Sequence, residues 1–317
     1  MSAGASLIGT NAPALRLTTI DGRAIDLGSL YGRQAVYLKF WATWCVPCRQ
    51  QMPHFERTYE RAGKGLAVIA INAGFNDSLE DVKAYRASLG LKMPIVIDDG
   101  SLAAALHLQV TPQHVVIGRD GRISYIGHLV DDRLEDALKR AQEEPPAAVK
   151  EPQRTARPEV ALALGAEIPN VVVRDIDGVE VPLRDPNRAR KTVLMFISPW
   201  CESYLQKSRP ARSAACRRAR EQSEKLAPQS GARWIGIASG LWAASDDLAE
   251  YRRDQHVAIP LSLDESGTIF RQFGVTAVPT LLVVDPGGRI LVRIDRVGDD
   301  LRNQLALDRE LASGTGH

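Results

Sequence analysis

A chain of 317 residues is longer than one hydrophobic core comfortably serves, so two domains are expected. Charged residues make up 25% and hydrophobic ones 44%, and 40 basic against 38 acidic residues leave a net charge of +2. That near-neutrality gives no electrostatic footing for nucleic acid or an anionic membrane, and no apolar run approaches the roughly 18 residues of a bilayer-spanning helix.

The first residues, Met1 to Gly9, lack the basic and apolar regions of a signal peptide. The protein is therefore cytosolic, or its numbering begins after a removed signal or anchor. Four cysteines are too few to staple a scaffold of this length, so they are expected to serve chemistry.

In chain order, the apolar run Val36 to Trp41 predicts a strand, and a helical pattern starts at Arg49. There Met52, Phe55, Tyr59 and Ala62 recur on one face, and Pro53 is expected to kink the helix by removing a backbone donor. Leu66 to Ile71 is continuously apolar, which predicts a strand buried on both faces. A helix over 79–88, a strand over 93–97, a short helix over 102–107 and a strand over 115–117 follow. A turn at Asp120-Gly121 then leads to a closing strand and helix. Strands alternating with helices predict an α/β domain with a mixed central sheet.

The pattern then repeats. From Gly22 to Cys45 is 23 positions, as it is from Gly178 to Cys201, and each cysteine follows a tryptophan (Trp44, Trp200). From Pro112 to Ile123 is 11 positions, as it is from Pro279 to Ile290. The chain is therefore read as two copies of one fold, over 5–141 and 161–312, joined by a Pro-rich linker over 142–160.

The chemistry centres on Cys45-Val46-Pro47-Cys48, between a predicted strand and a predicted helix. A sulfur at a helix N-terminus forms a thiolate at lower pH, because unpaired N–H groups and the helix dipole favour negative charge there. A second sulfur three residues on can attack a mixed disulfide and release the product. C-x-x-C also serves zinc, but a tetrahedral site needs a second close pair, and Cys201 and Cys216 are 15 apart in the other copy. No metal is expected.

FWATWCVPCRQQMP, with an upstream Asp-Gly and a downstream Thr-Pro, resembles the TlpA/ResA-type thioredoxin-like thiol-disulfide oxidoreductases. The resemblance covers nearly all of the first copy and extends more loosely over the second. It implies two tandem thioredoxin-like domains, Cys45 as attacking thiol, Cys48 as resolving thiol, and Pro112 as a cis-proline that binds substrate with Thr111 and Trp44. It implies no cofactor beyond the redox-active disulfide. Its partners would be a disulfide-containing client and an upstream thiol donor, in the periplasm or another extracytoplasmic space.

Two positions depart from the resemblance. Gln51, which cannot titrate, stands where the family often has Glu. Lys39 stands six residues before Cys45, where thioredoxins carry a buried acid. A charged Lys39 would lower thiol pKa values; alternatively it snorkels to solvent and does nothing. His54 and His114 are read as surface histidines.

In the second copy Tyr204 occupies the resolving position, and Cys216 lies 15 residues beyond Cys201, roughly 22 Å away along a straight helix. Pro210 could start a new helix and fold the chain back, making Cys201 and Cys216 a second redox pair; otherwise the domain is degenerate. The basic run from Lys207 to Lys225 is read as a solvated helix face. The function expected is protein disulfide reduction by Cys45 and Cys48. A client-binding scaffold is the alternative, and a peroxidase is disfavoured because no Pro-x-x-x-Thr-x-x-Cys pattern surrounds Cys45 or Cys201.

Overall fold

The computed structural model describes residues 5–143, 145 and 161–307. The chain divides into two compact units, Met1–Glu159 and Val160–His317. Most of the predicted linker, and residues 308–312 of the second predicted domain, lie outside the described residues.

The first unit opens with a hairpin, β1 (Arg16–Thr18) and β2 (Ala24–Asp26), turned at Asp21-Gly22. Gly22 has φ +81°, a left-handed conformation that glycine adopts without steric cost. There follow α1 (Leu27–Leu30), β3 (Ala35–Trp41), α2 (Val46–Arg61), β4 (Leu66–Asn72), α3 (Leu79–Leu89) and β5 (Ile95–Ile97). The unit closes with α4 (Ser101–Ala105), β6 (Gln113–Ile117), β7 (Ile123–Gly127) and α5 (Asp132–Glu143).

Its main sheet has the order β5-β4-β3-β6-β7, with β3, β4 and β5 parallel and β6 and β7 antiparallel to their neighbours. Every residue of β3 is buried, because helices cover both faces of this central strand. Val36, Leu38 and Phe40 join Leu17, Ile69, Ile71, Val115 and Ile117 in a core on one face. Tyr37, Lys39 and Trp41 alternate to the other face, where Tyr37 meets Phe55 of α2 edge to ring at 4.9 Å.

The second unit repeats this plan. Its hairpin is β8 (Val172–Arg174) and β9 (Glu180–Pro182), followed by β10 (Thr192–Ile197), α6 (Cys201–Ser208), α7 (Pro210–Leu226) and β11 (Arg233–Ser239). Then come α8 (Ser245–Asp254), β12 (Leu261–Asp264), α9 (Thr268–Gln272), β13 (Thr280–Val284), β14 (Ile290–Ile294) and α10 (Leu301–Leu305). The sheet order β12-β11-β10-β13-β14 and its strand directions match those of the first unit. Even the register irregularity recurs, between Val116 and Ile117 and again between Val283 and Val284. Both units are α/β domains built on one mixed five-stranded sheet plan, as the repeat implies.

Helix α2 continues as one element through Pro53. The bond Pro53 gives up, to the Arg49 carbonyl, lies on the exposed side of the helix. In the second unit the corresponding helix is broken instead: α6 ends at Ser208 and Pro210 starts α7, so the two pack as a hairpin.

Candidate active site

Cys45 is the N-cap of α2, delivered there by the turn that follows β3. Its Sγ accepts a hydrogen bond from the Cys48 N–H at 3.2 Å, so the helix terminus that would stabilise a thiolate already points at this sulfur. Cys45 and Cys48 are joined as a disulfide with Cα atoms 5.2 Å apart. Cys45 is 3% exposed and Cys48 fully buried.

The turn before Cys45 is pinned from β4 and the loop after it. The Asp77 carboxylate accepts from the Thr43 N–H (2.8 Å), the Thr43 hydroxyl (2.5 Å) and the Asn72 amide (2.7 Å). Trp44 is buried, and its indole N–H donates to the Phe75 carbonyl at 3.1 Å. Trp44 thus fixes the turn from within.

The peptide bond Thr111–Pro112 is cis, and the Thr111 carbonyl oxygen lies 3.7 Å from Cys45 Sγ. The fold therefore gathers Cys45, Cys48, Thr111 and Pro112, although Pro112 is 67 positions beyond Cys45.

Two further side chains lie beneath α2: for Lys39 one of the two sequence alternatives falls, and for His114 the sequence expectation needs correction. Lys39 does not snorkel. It is fully buried beneath α2, its Nζ 5.6 Å from the centre of the Phe55 ring and without a hydrogen-bond partner. A central strand covered on both faces gives a lysine stem no route to water, and burial pulls its pKa from 10.5 to about 7.

His114, expected on the surface, is also fully buried. It pairs with Lys39 across β3 and β6. The Tyr37 hydroxyl is 2.7 Å from His114 Nδ1, and burial drives the Tyr37 pKa well above 10, so the hydroxyl keeps its proton and donates it. His114 Nε2 then carries the ring proton and donates to Gln51 Oε1 at 2.8 Å. The Gln51 amide donates onward to the His128 carbonyl at 3.0 Å, while His128 Nδ1 donates to the Pro112 carbonyl at 2.9 Å. A continuous chain of hydrogen bonds thus ties β3, β6, α2 and the cis-proline loop together. A non-titrating Gln51 suits this bridging, because it accepts on one side and donates on the other.

Burial first, then the nearby Lys39 charge, pulls the His114 pKa down to about 2. We expect His114 to remain neutral from about pH 5 to 8, with inequivalent ring nitrogens in the ¹⁵N spectrum. A ring titrating near pH 6.5 would contradict the bonding pattern.

Register places Met195 and Leu281 of the second unit where the first has Lys39 and His114, and Val193 where it has Tyr37. All three belong to an apolar core there. The buried polar group is confined to the unit with the C-x-x-C motif.

In the second unit the helix break brings Cys201 and Cys216 within 6.3 Å between Cα atoms, and they form a disulfide linking α6 to α7. Val278–Pro279 is cis, matching Thr111–Pro112. The basic run is not wholly solvated. Arg220 turns inward to hold Glu202 through two bonds (2.8 and 3.0 Å), and the Tyr251 hydroxyl donates to the same carboxylate at 3.2 Å. Sequence pattern missed this cluster, whose one local signal is an acid directly after Cys201. Among the described residues, no group of three or more His, Cys, Asp or Glu could hold a metal ion, and no helix is long and apolar enough to cross a membrane.

Residues 8–126 and 164–293 match the AhpC/TSA family model. The chain is 34% identical over 137 residues to the thiol-disulfide oxidoreductase ResA of Bacillus thuringiensis (strain Al Hakam), covering 42% of this chain and 78% of that protein. It is 32% identical over 133 residues to the thioredoxin-like protein YneN of Bacillus subtilis (strain 168), covering 41% and 78% respectively. A thiol:disulfide interchange protein of the thioredoxin family from Chlorobium tepidum TLS aligns with a TM-score of 0.38 and 27% identity, over 42% of this chain and 97% of that structure.

Proposed function

The chain belongs to the AhpC/TSA family, and from that premise we propose that it is a thiol-disulfide oxidoreductase whose first unit reduces protein disulfides. The observation that carries this reading is the placement of Cys45 as the N-cap of α2, with Cys48 behind it and the Thr111 carbonyl in front. Its ResA relative bears the name of the same chemistry.

In the reduced state, the Cys45 thiolate attacks a client disulfide; one client sulfur leaves and a mixed disulfide forms at Cys45. The Cys48 thiol loses its proton and attacks Cys45 Sγ. The second client sulfur then leaves, and the Cys45–Cys48 disulfide closes. Two electrons have passed to the client. A dithiol donor returns them by the reverse sequence.

Exposed apolar residues border the site. Val46, 56% exposed, follows the attacking sulfur directly, Val110 precedes the Thr111–Pro112 bond, and Leu129 follows His128. An apolar rim of this kind suits an unfolded or extended client segment better than a charged small molecule. The Tyr37–His114–Gln51 chain holds α2 and the cis-proline loop in register, and Lys39 sets an amine beneath α2, the helix that carries both cysteines. An extracytoplasmic location agrees with this reading, since disulfide clients persist in oxidising compartments.

The test is turnover. With dithiothreitol as donor, the protein should reduce insulin disulfides faster than dithiothreitol alone. Absence of any acceleration would remove the reductase reading.

A further inference from the structure

The second unit holds a disulfide that this chemistry leaves unused. Cys201 takes the place of Cys45. Its N–H bonds the Ser198 carbonyl at 3.1 Å, as that of Cys45 bonds Ala42 at 3.2 Å. Each follows a tryptophan whose indole N–H donates to a loop carbonyl, Leu241 or Phe75.

The order of exposure, however, is turned round. In the first unit the sulfur at the helix start, Cys45, is the more exposed of the pair. In the second, Cys201 at the start of α6 is fully buried and Cys216 on α7 is 8% exposed. We propose that Cys201–Cys216 is a second exchangeable disulfide of reversed polarity, which an external dithiol enters at Cys216 and from which Cys201 departs as the thiolate.

Three observations support that direction. The approach to Cys201 is covered by this chain's own Arg212. Its carbonyl lies 4.0 Å from Cys201 Sγ and its guanidinium 3.4 Å from the carbonyl of Val278, the residue that matches Thr111. In the first unit the carbonyl beside Cys45 Sγ, at 3.7 Å, is that of Thr111 itself.

The departing sulfur lies at the end of α6 where the helix dipole favours negative charge. Cys201 begins α6, at the positive end of the helix dipole, and a sulfur of lower pKa leaves faster. The neighbouring carboxylate of Glu202 is already neutralised by Arg220.

The α6–α7 hairpin, finally, has ties besides the sulfur link. Glu202 fastens α6 to α7 through Arg220, and its backbone carbonyl accepts from the Ser213 hydroxyl at 2.6 Å. Tyr251 adds a bond from α8. The disulfide can open while the hairpin stays closed.

The steps balance. One thiolate of the dithiol attacks Cys216 Sγ, the Cys201–Cys216 bond breaks, and Cys201 leaves with the electron pair. The second thiol of the donor loses its proton and attacks the mixed disulfide, releasing the Cys216 thiolate, and the two cysteines take up two protons. The donor ends as a disulfide and the pair as two thiols.

The proposal stands apart from the chemistry of the first unit, which the test silences with Cys45→Ser and Cys48→Ser. In that full-length background, dithiothreitol should open Cys201–Cys216 in native buffer with circular dichroism retained. Adding Cys201→Ser leaves Cys216 alone, which should form one adduct with glutathione disulfide. Adding Cys216→Ser instead leaves Cys201, whose adduct should form at least about tenfold more slowly. A pair that opens only in denaturant, or an adduct that forms as fast on Cys201, overturns the proposal. Should a single-cysteine variant lose its circular dichroism, limiting reduced glutathione on the oxidised parent, acid quench and peptide mapping decide the matter. A mixed disulfide on Cys216 supports the proposal; one on Cys201, or none, overturns it.

Discussion

Cys45→Ser should lower dithiol-driven reduction of insulin by at least about 10³-fold, because a serine hydroxyl at neutral pH cannot replace a thiolate nucleophile. Cys48→Ser should stop turnover as completely but by another route. Its Cys45 can still attack, so a mixed disulfide with the client accumulates and is visible by non-reducing mass spectrometry. The fully buried position of Cys48 gives the client no direct access to it. If Cys45→Ser keeps more than about a hundredth of the activity, the nucleophile has been misassigned.

Lys39→Met is expected to give the largest change in stability. Its amine is charged in the unfolded chain below 10.5, yet burial holds the folded value at about 7. Between those two values the unfolded chain binds more protons, so this residue's penalty weakens as pH rises from about 7 towards 10.5. Below about 7 the penalty is fully present. The gap sets a ceiling of roughly 5 kcal/mol on what removing the amine could return, before any packing loss. The second unit indicates that packing loss is small, since Met195 sits at the equivalent point of an otherwise matching sheet. Urea unfolding of the oxidised protein should find the variant more stable at pH 7, with the rise between pH 7 and 10 diminished. A variant no more stable than the parent would mean that the buried amine has a compensating partner. If Lys39 also favours the Cys45 thiolate, the same variant raises the pH at which the reduced protein becomes reactive.

Much of this was legible in the chain. Equal spacings from Gly22 to Cys45 and from Gly178 to Cys201 disclosed the repeat, because a turn, a strand and a helix start at fixed intervals whatever fills them. The fold-back at Pro210 was legible for a similar reason: proline both ends and begins helices. What escaped was tertiary. Nothing local distinguishes a surface histidine from His114, whose burial depends on α2 lying over β3 and β6. Lys39 looked able to reach water because its strand was known but the cover on both faces was not. The inward turn of Arg220 was hidden within a run of arginines, where only Glu202, 18 positions earlier, marks which one is buried. Long-range polar pairings of this kind leave no periodic trace.

The central claim is that the end of α2 holds the Cys45 sulfur as an anion near neutral pH. The rate of iodoacetamide alkylation at Cys45, mapped by peptide mass in the fully reduced protein across pH, measures this directly. The account predicts an inflection below about 7.5, the upper range for thiols at helix N-termini or beside cations. An inflection at or above about 8.5, where an unassisted thiol ionises, or no reaction at neutral pH, would contradict it.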